Sequence, residues 1–258
     1  MRIATWNVNS LKARLPRVEE WLEYAEPDVL CLQETKLADD AFPQLTFEAL
    51  GYEAAHHGQG RWNGVAILSK VGLQDVTSGF GDAIDPYEGD ARLLAATCGG
   101  LRVATVYVPN GREVGTEFYD RKLAWFECLA TWLDETTSPT EPFALLGDFN
   151  VAPEDRDVWS VKAFEGSTHV TPKERAAVAA LEQWGLVDAF RILYDQDELF
   201  SYWDYRRGDF HKHHGMRIDL VLVTKPVAER VTWALVDRNA RKGQLPSDHA
   251  PVVVDIAD

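Results

Sequence analysis

Residues 143–150 read F-A-L-L-G-D-F-N, an apolar run of strand length from Phe143 to Gly147 that delivers Asp148 and Asn150 at its end. Short apolar runs bounded by turn residues read as buried strands. The chain start behaves alike: Arg2 to Trp6 reads as a strand entering N-V-N-S. A strand ending in an Asn-bearing loop therefore occurs twice, at Trp6-Asn7 and at Phe149-Asn150. Working outward, Leu15, Val18, Trp21 and Leu22 form one helical stripe, and Asp28–Gln33, Gly64–Ser69, Leu93–Thr97 and Arg102–Val108 are further strand-like runs. Helices are predicted from Phe118 to Leu133, with Leu123, Phe126, Leu129, Ala130 and Leu133 spaced for burial, and from Pro172 to Trp184. Strands follow at Ile218–Val223, Val231–Val236 and Pro251–Ile256. Mixed strands interleaved with helices, in two similar halves, predict an α/β fold of two sheets packed face to face with helices outside.

The 258 residues suffice for one large core, and no Pro/Gly/Ser-rich linker divides them, so a single domain spanning 1–258 is expected. No apolar run reaches membrane length and M-R-I-A-T-W-N lacks a signal-peptide core, which predicts a cytoplasmic protein without membrane association. Cys31, Cys98 and Cys128 are far apart in apolar segments and read as reduced core thiols. The net charge of −15 speaks against nucleic acid, whose binding draws on Lys and Arg. One local basic surface on an acidic body remains compatible with it, with weak and strongly salt-sensitive binding.

Four polar clusters each follow a strand: Asn7 in T-W-N-V-N, Glu34 in L-Q-E-T, Asp148 and Asn150 in G-D-F-N, and Asp248 with His249 in S-D-H. Singly, each reads equally well as a turn. Jointly, carboxylates, amides and an imidazole without a thiol suit a hard divalent cation such as Mg²⁺, and hence phosphate ester hydrolysis. A fifth cluster is M-R-I-D-L-V-L-V, where Asp219 enters an apolar strand. A buried carboxylate needs a partner, and His249 is the natural candidate, its imidazole oriented by the carboxylate; the alternative is a structural Asp held by backbone amides.

These motifs, with L-Q-E-T-K, N-G-V-A-I-L-S, Y-V-P-N-G, G-D-F-N-V-A-P, W-G-L-V-D-A-F-R and P-S-D-H-A-P-V, run in order over nearly the whole chain. In this the sequence resembles the exonuclease III family of bacterial DNA-repair nucleases, within the endonuclease/exonuclease/phosphatase superfamily. The resemblance implies a four-layer α/β sandwich and Mg²⁺- or Mn²⁺-dependent hydrolysis of double-stranded DNA at abasic sites, nicks and blocked or ordinary 3′ ends, with no obligate protein partner. It assigns Glu34, Asn7 and Asp248 to the metal. Asp148 becomes the base acting on water, Asn150 and Tyr107 contact the phosphate or leaving group, and Asp219 with His249 forms a pair at the phosphate.

For substrate grip, Arg92, Arg112 and Lys122 match positions that face DNA in relatives. Trp203 lies in the aromatic and basic loop from Phe200 to Arg217, where it reads as either a DNA contact or core, and Tyr202, Met216 and Ile218 match the walls of a pocket for a base-less sugar. His169 stands where several relatives carry a smaller residue. Its bulk would disfavour internal abasic sites relative to 3′ ends, whereas a side chain pointing away would matter little. A small-molecule or lipid phosphoesterase of the same superfamily, and a catalytically silent binding module, are the competing expectations.

Overall fold

The computed structural model describes residues 1–81 and 85–258. Strand β1 (Arg2–Asn7) alternates: Ile3 packs into one apolar cluster, while Ala4 and Trp6 pack into another on the opposite face. Helix α1 (Leu11–Ala25) follows, and its buried Leu11, Val18, Trp21, Leu22 and Ala25 recur at the spacing that lays one helical face on a sheet. Strand β2 (Val29–Gln33) then returns parallel to β1, with Asn7 opposite Gln33.

Two six-stranded mixed sheets are found among the described residues. The first has the order β11-β12-β1-β2-β4-β3, adding β3 (Glu53–His57), β4 (Val65–Ser69), β11 (Val231–Val236) and β12 (Val252–Ile256). The second has the order β5-β6-β7-β8-β10-β9, from β5 (Gln74–Ser78), β6 (Leu93–Cys98), β7 (Leu101–Tyr107), β8 (Phe143–Asp148), β9 (Leu186–Asp188) and β10 (Asp219–Thr224). Their inner faces share one core that includes Ile3, Cys31 and Ile67 from the first sheet and Leu94, Leu146 and Val221 from the second. Helices α1 and α2 (Gln44–Ala49) cover the first sheet, and α3 (Glu117–Thr136) and α4 (Pro172–Trp184) cover the second. The expected four-layer sandwich is the architecture adopted, and no helix among the described residues is long and apolar enough to cross a membrane.

Three strands went unread in the sequence: β3, β5 and β9, all at sheet edges, with β5 wholly exposed. Edge strands carry polar residues that blunt unwanted pairing, which erases the apolar signature. The half-repeat also pairs differently from the expectation. In both sheets the single parallel pair is central, β1 with β2 and β7 with β8, each joined through a long helix, α1 or α3. Asn7 thus corresponds to Tyr107, and the end of β2 to Asp148, rather than Asn7 to Asn150. Helix α3 turns its face toward Trp125 and Trp132, leaving the expected Leu123 and Ala130 half-buried. Cys31 and Cys98 are core thiols, while Cys128 is half-buried.

Gly147 is fixed by close approach. A Cβ there would lie 2.0 Å from the Val106 carbonyl oxygen, so only glycine lets β8 pass β7 on the way to Asp148.

Candidate active site

The strand directions bring the polar clusters to one edge. β1, β2, β7 and β8 end there, and β10, antiparallel to β8, begins there with Asp219 opposite Asp148. Tyr107 is likewise opposite Asp148, and Asp248 and His249 directly precede β12, antiparallel to β1. Loops between strand ends are where α/β folds place chemistry.

Asn7 lies at the centre. Its Nδ2 donates to Glu34 Oε1 and to Asp148 Oδ2, both at 2.9 Å. Its Oδ1 accepts from the Asn9 backbone, and Asn9 Nδ2 donates to Asp248 Oδ1 at 3.1 Å. Asp148 Oδ1 also accepts from the Asn150 backbone N–H at 2.9 Å. Glu34 holds a left-handed backbone (φ 52°), a conformation costing a residue with a Cβ roughly 1–2 kcal/mol. The surrounding bonds from Asn7 and Lys36 hold it there, as strained positions at sites require.

His249 Nδ1 donates to Asp219 at 2.8 Å, which leaves Nε2 facing Asp148 Oδ2 at 3.8 Å. Ser201 Oγ donates to Asp219 Oδ2 at 2.6 Å and accepts from the Asp219 amide. Asp219 is thus satisfied by the imidazole and a hydroxyl. Burial alone would lower the His249 pKa, but Asp219 and Asp148 outweigh it and push it up to about 10, so the ring is an imidazolium at neutral pH. Asp148 is pushed up to about 7 by burial and the Asp219 charge, against the opposing pull of His249. Glu34 is disfavoured by burial, yet the Lys36 ammonium at 2.8 Å and the Asn7 amide hold it below the usual carboxylate range. Burial and the charges of Glu34 and Asp148 raise the Tyr107 phenol, which stays protonated at neutral pH.

The donor chemistry fits a hard divalent cation. Glu34, Asn7, Asp148 and Asp248 present oxygens on one edge, and an ammonium already gathers there, Lys36 Nζ touching Glu34 Oε2 and Asn9 Oδ1. Atoms of Asp148, Asp219 and His249 also lie within 4.8 Å of one another. With Asp219 engaged by His249 and Ser201, and His249 cationic, the Glu34 side of the cluster is the better cation cradle. Asn9, Lys36, Asn110 and Ser201 were missed as site residues. Asn9 and Lys36 sit inside the quoted T-W-N-V-N and L-Q-E-T-K motifs, so proximity to the acidic residues was the available signal.

The remaining expected residues divide. Asn150 is 4 % exposed, its Nδ2 donating to the Val108 carbonyl and its Oδ1 accepting from Asn110. A cavity of about 580 Å³ opens beside it, lined by Asn110, Arg112, His169, Tyr202 and Met216 among others. His169 Nδ1 lies 2.5 Å from the Asn150 carbonyl oxygen, so the ring packs against the site rather than pointing away. Burial and the Lys122 charge lower its pKa to about 4, leaving it neutral. Tyr202 leans on His249 with ring centroids 4.8 Å apart. Arg112 is exposed over the Phe118 ring, and Arg92 is half-buried over Tyr107, tethered to Asp90 at 2.8 Å. Both arginines line a second cavity of about 340 Å³ on the far side of Asn110.

Three expectations need correction. Lys122 does not face a substrate: it is fully buried, with Nζ 2.5 Å from Glu174 Oε1 and 2.8 Å from the Asn150 carbonyl. Apolar neighbours on α3 turn it inward, and Glu174 on α4 compensates its charge. Trp203 is core, wholly buried against Phe200, Ala250 and Phe210. Ile218 is 1 % exposed and packs beneath Met216 with Ala152 and Val158, so Met216 rather than Ile218 lines the cavity. Between them, buried Arg217 binds Asp157 at 2.7 Å and Asp188 at 2.6 Å, pinning the chain just ahead of Asp219.

A family model described as "Endonuclease/Exonuclease/phosphatase family" matches residues 4–249. Exodeoxyribonuclease III of Haemophilus influenzae is 34% identical over 98% of both chains. An AP endonuclease from Archaeoglobus fulgidus superposes with a TM-score of 0.95 at 36% identity over 99% of both chains. A 3′ phosphatase from Neisseria, solved as a variant bound to a product DNA hairpin, gives the same TM-score and identity over 100% of both. The chain belongs to the endonuclease/exonuclease/phosphatase family, on its exodeoxyribonuclease III branch.

Proposed function

We propose that this protein is a Mg²⁺-dependent DNA-repair phosphodiesterase that cleaves P–O3′ bonds of double-stranded DNA, at abasic sites, at 3′-phosphates and at ordinary 3′ ends. The observation carrying this is the convergence of Asn7, Glu34, Asp148, Asp219 and His249 at one sheet edge, where hydrogen bonds join Asn7 to Glu34 and Asp148 and His249 to Asp219, and His249 Nε2 stands 3.8 Å from Asp148 Oδ2. Glu34, with Asn7 and Asp248, would hold the divalent ion, which when bound neutralises charge on the phosphoryl oxygens. Mn²⁺ meets the same oxygen ligands.

Asp148 accepts the proton of the attacking water, held for that task by Asn7 Nδ2 and the Asn150 amide. The His249 imidazolium, oriented by Asp219, donates from Nε2 to a phosphoryl oxygen whose charge grows in the transition state. Asn150 keeps one free amide N–H for the phosphate, since Val108 takes only one of two. Tyr107, opposite Asp148 at the end of β7, serves the departing O3′. Arg112 and Arg92 supply positive charge on a protein of net charge −15, so affinity is modest and falls steeply with salt.

The test is a panel of nicked, 3′-phosphorylated and internally abasic duplexes beside a soluble phosphoinositide, each with Mg²⁺. All three duplexes are cleaved, the phosphoinositide is not, and EDTA abolishes turnover. Preferential phosphoinositide hydrolysis would transfer the site to the small-molecule branch of the superfamily. DNA retention without cleavage, indifferent to EDTA, would make it a binding module.

His169 sets the balance among these substrates. Its ring narrows the cavity beside Tyr202 and Met216, and its φ of 81° is one that glycine adopts freely. His169→Gly raises internal abasic cleavage relative to 3′-phosphatase turnover several-fold in a paired rate measurement. An unchanged ratio removes His169 from specificity.

A further inference from the structure

The cavity beside the active edge extends well past the residues that would enclose a sugar. Its wall includes Tyr202 and Met216, the middle of a short backbone ladder in which His249 is bridged to Tyr202, Tyr202 to Met216, and Met216 to Val158. At about 4.8 Å per step, the ladder sets Val158 at most roughly 14 Å from His249. The next residue, Trp159, donates its backbone N–H to Gly215 at 3.1 Å and lines the cavity. Its indole stacks on His214 with centroids 3.8 Å apart and planes at 10°, and Phe164 meets it edge-on at 6.5 Å. These three rings, all half-buried, form the outer wall of the same 580 Å³ space that begins at Tyr202 and Met216. Pockets of about 300–1,000 Å³ bury whole small ligands, so the space exceeds the need of a base-less sugar.

We propose that Trp159, with His214 and Phe164, forms a nucleobase subsite that stacks the base of an unpaired 3′-terminal nucleotide while its phosphate sits at His249 and Asp148. This rests on the nuclease reading above and adds to it which substrates need the outer cavity. An aromatic surface takes any base because every base has a π-face, so the subsite is tolerant of sequence. A 3′-phosphate has no base beyond the scissile bond and leaves the subsite empty. The aromatic wall therefore favours 3′→5′ removal of intact nucleotides over 3′-phosphatase action, using one set of catalytic groups for both.

The experiment compares kcat/KM for release of a mismatched terminal nucleotide from a recessed 3′ end with that for 3′-phosphate removal from the same duplex, in wild type, Trp159→Ala and Trp159→Phe. Stacking is worth about 1–3 kcal/mol per base, and 1.4 kcal/mol is tenfold, so Trp159→Ala lowers the exonuclease-to-phosphatase ratio about 5- to 150-fold. Trp159→Phe restores most of it. A ratio unchanged in Trp159→Ala overturns the subsite, whether both activities persist or both fall. His214→Ala, which strips one ring and leaves Trp159 its backbone bond to Gly215 and its edge contact with Phe164, must lower the ratio in the same direction if Trp159→Ala does not fold. A wild type without either activity overturns the nuclease reading itself, which separates the two failures.

Discussion

Asp148→Asn lowers abasic cleavage, 3′-phosphatase and 3′→5′ exonuclease turnover together, by about 10²–10⁴-fold, the range for losing a positioned general base. On the proposed mechanism one carboxylate serves all three, because each reaction breaks a P–O3′ bond. The amide keeps the shape but has one acceptor oxygen for two donors, Asn7 Nδ2 and the Asn150 backbone N–H, so one of those bonds is lost, while affinity for duplex DNA is retained or rises as a negative charge leaves the phosphate's neighbourhood. Thermal stability changes little, because the lost acceptor is set against relief of a buried charge. The carboxyl pKa stands near 7 in the fold against an ordinary 3.8, raised first by burial. A carboxylate with a raised pKa opposes folding once it ionises, progressively as pH climbs from about 4 to 7, and the neutral amide is free of that cost. Retention of any one activity near wild-type rate would show that it belongs to a different site.

Lys122→Met is expected to destabilise the protein by about 3–5 kcal/mol, the usual consequence of stranding one partner of a buried ion pair. For a chain of this size that corresponds to a melting temperature lower by roughly 6–20 °C. Lys122 Nζ is surrounded by Glu174 Oε1, the carbonyls of Asn110 and Asn150, and Thr168 Oγ1. Glu174 meanwhile accepts from the His169 backbone and caps α4 through Thr171. Adding Glu174→Gln to Lys122→Met recovers part of the loss, because Gln still completes the capping box while the unpaired charge disappears. The salt dependence of DNA affinity stays that of wild type, since a buried ammonium releases no counterions from the duplex. A shallower salt slope at unchanged melting temperature would put Lys122 on the DNA after all.

The sandwich was readable because its central strands are apolar runs with turn residues at their ends, a signal that depends only on neighbours in sequence. β3, β5 and β9 escaped because solvent on one side lets E-A-A-H-H or Q-D-V-T-S be strands without alternation. The polar residues that close the strands were equally legible: Asn7, Glu34, Asp148, Asp219 and His249 each stand out against an apolar run, and all reach one edge. Basic residues outside the strands gave no comparable signal. Lys122 and Arg217 look like solvated or DNA-facing cations in sequence, yet each is buried against carboxylates, Glu174 for one and Asp157 with Asp188 for the other.

By itself, then, the sequence determined the layered α/β architecture and the identity of the groups at its active edge, because strand patterning and strand-end residues are local properties of the chain. Only the tertiary structure decided which cations are buried, that Asn7 joins Glu34 to Asp148, that His249 takes Asp219 as its partner at 2.8 Å, and that Trp159 and His214 share a wall. Those pairings span from tens to more than a hundred residues of chain. A charge becomes tolerable in the interior only when packing delivers its partner to bonding distance, and that delivery is a property of the whole fold.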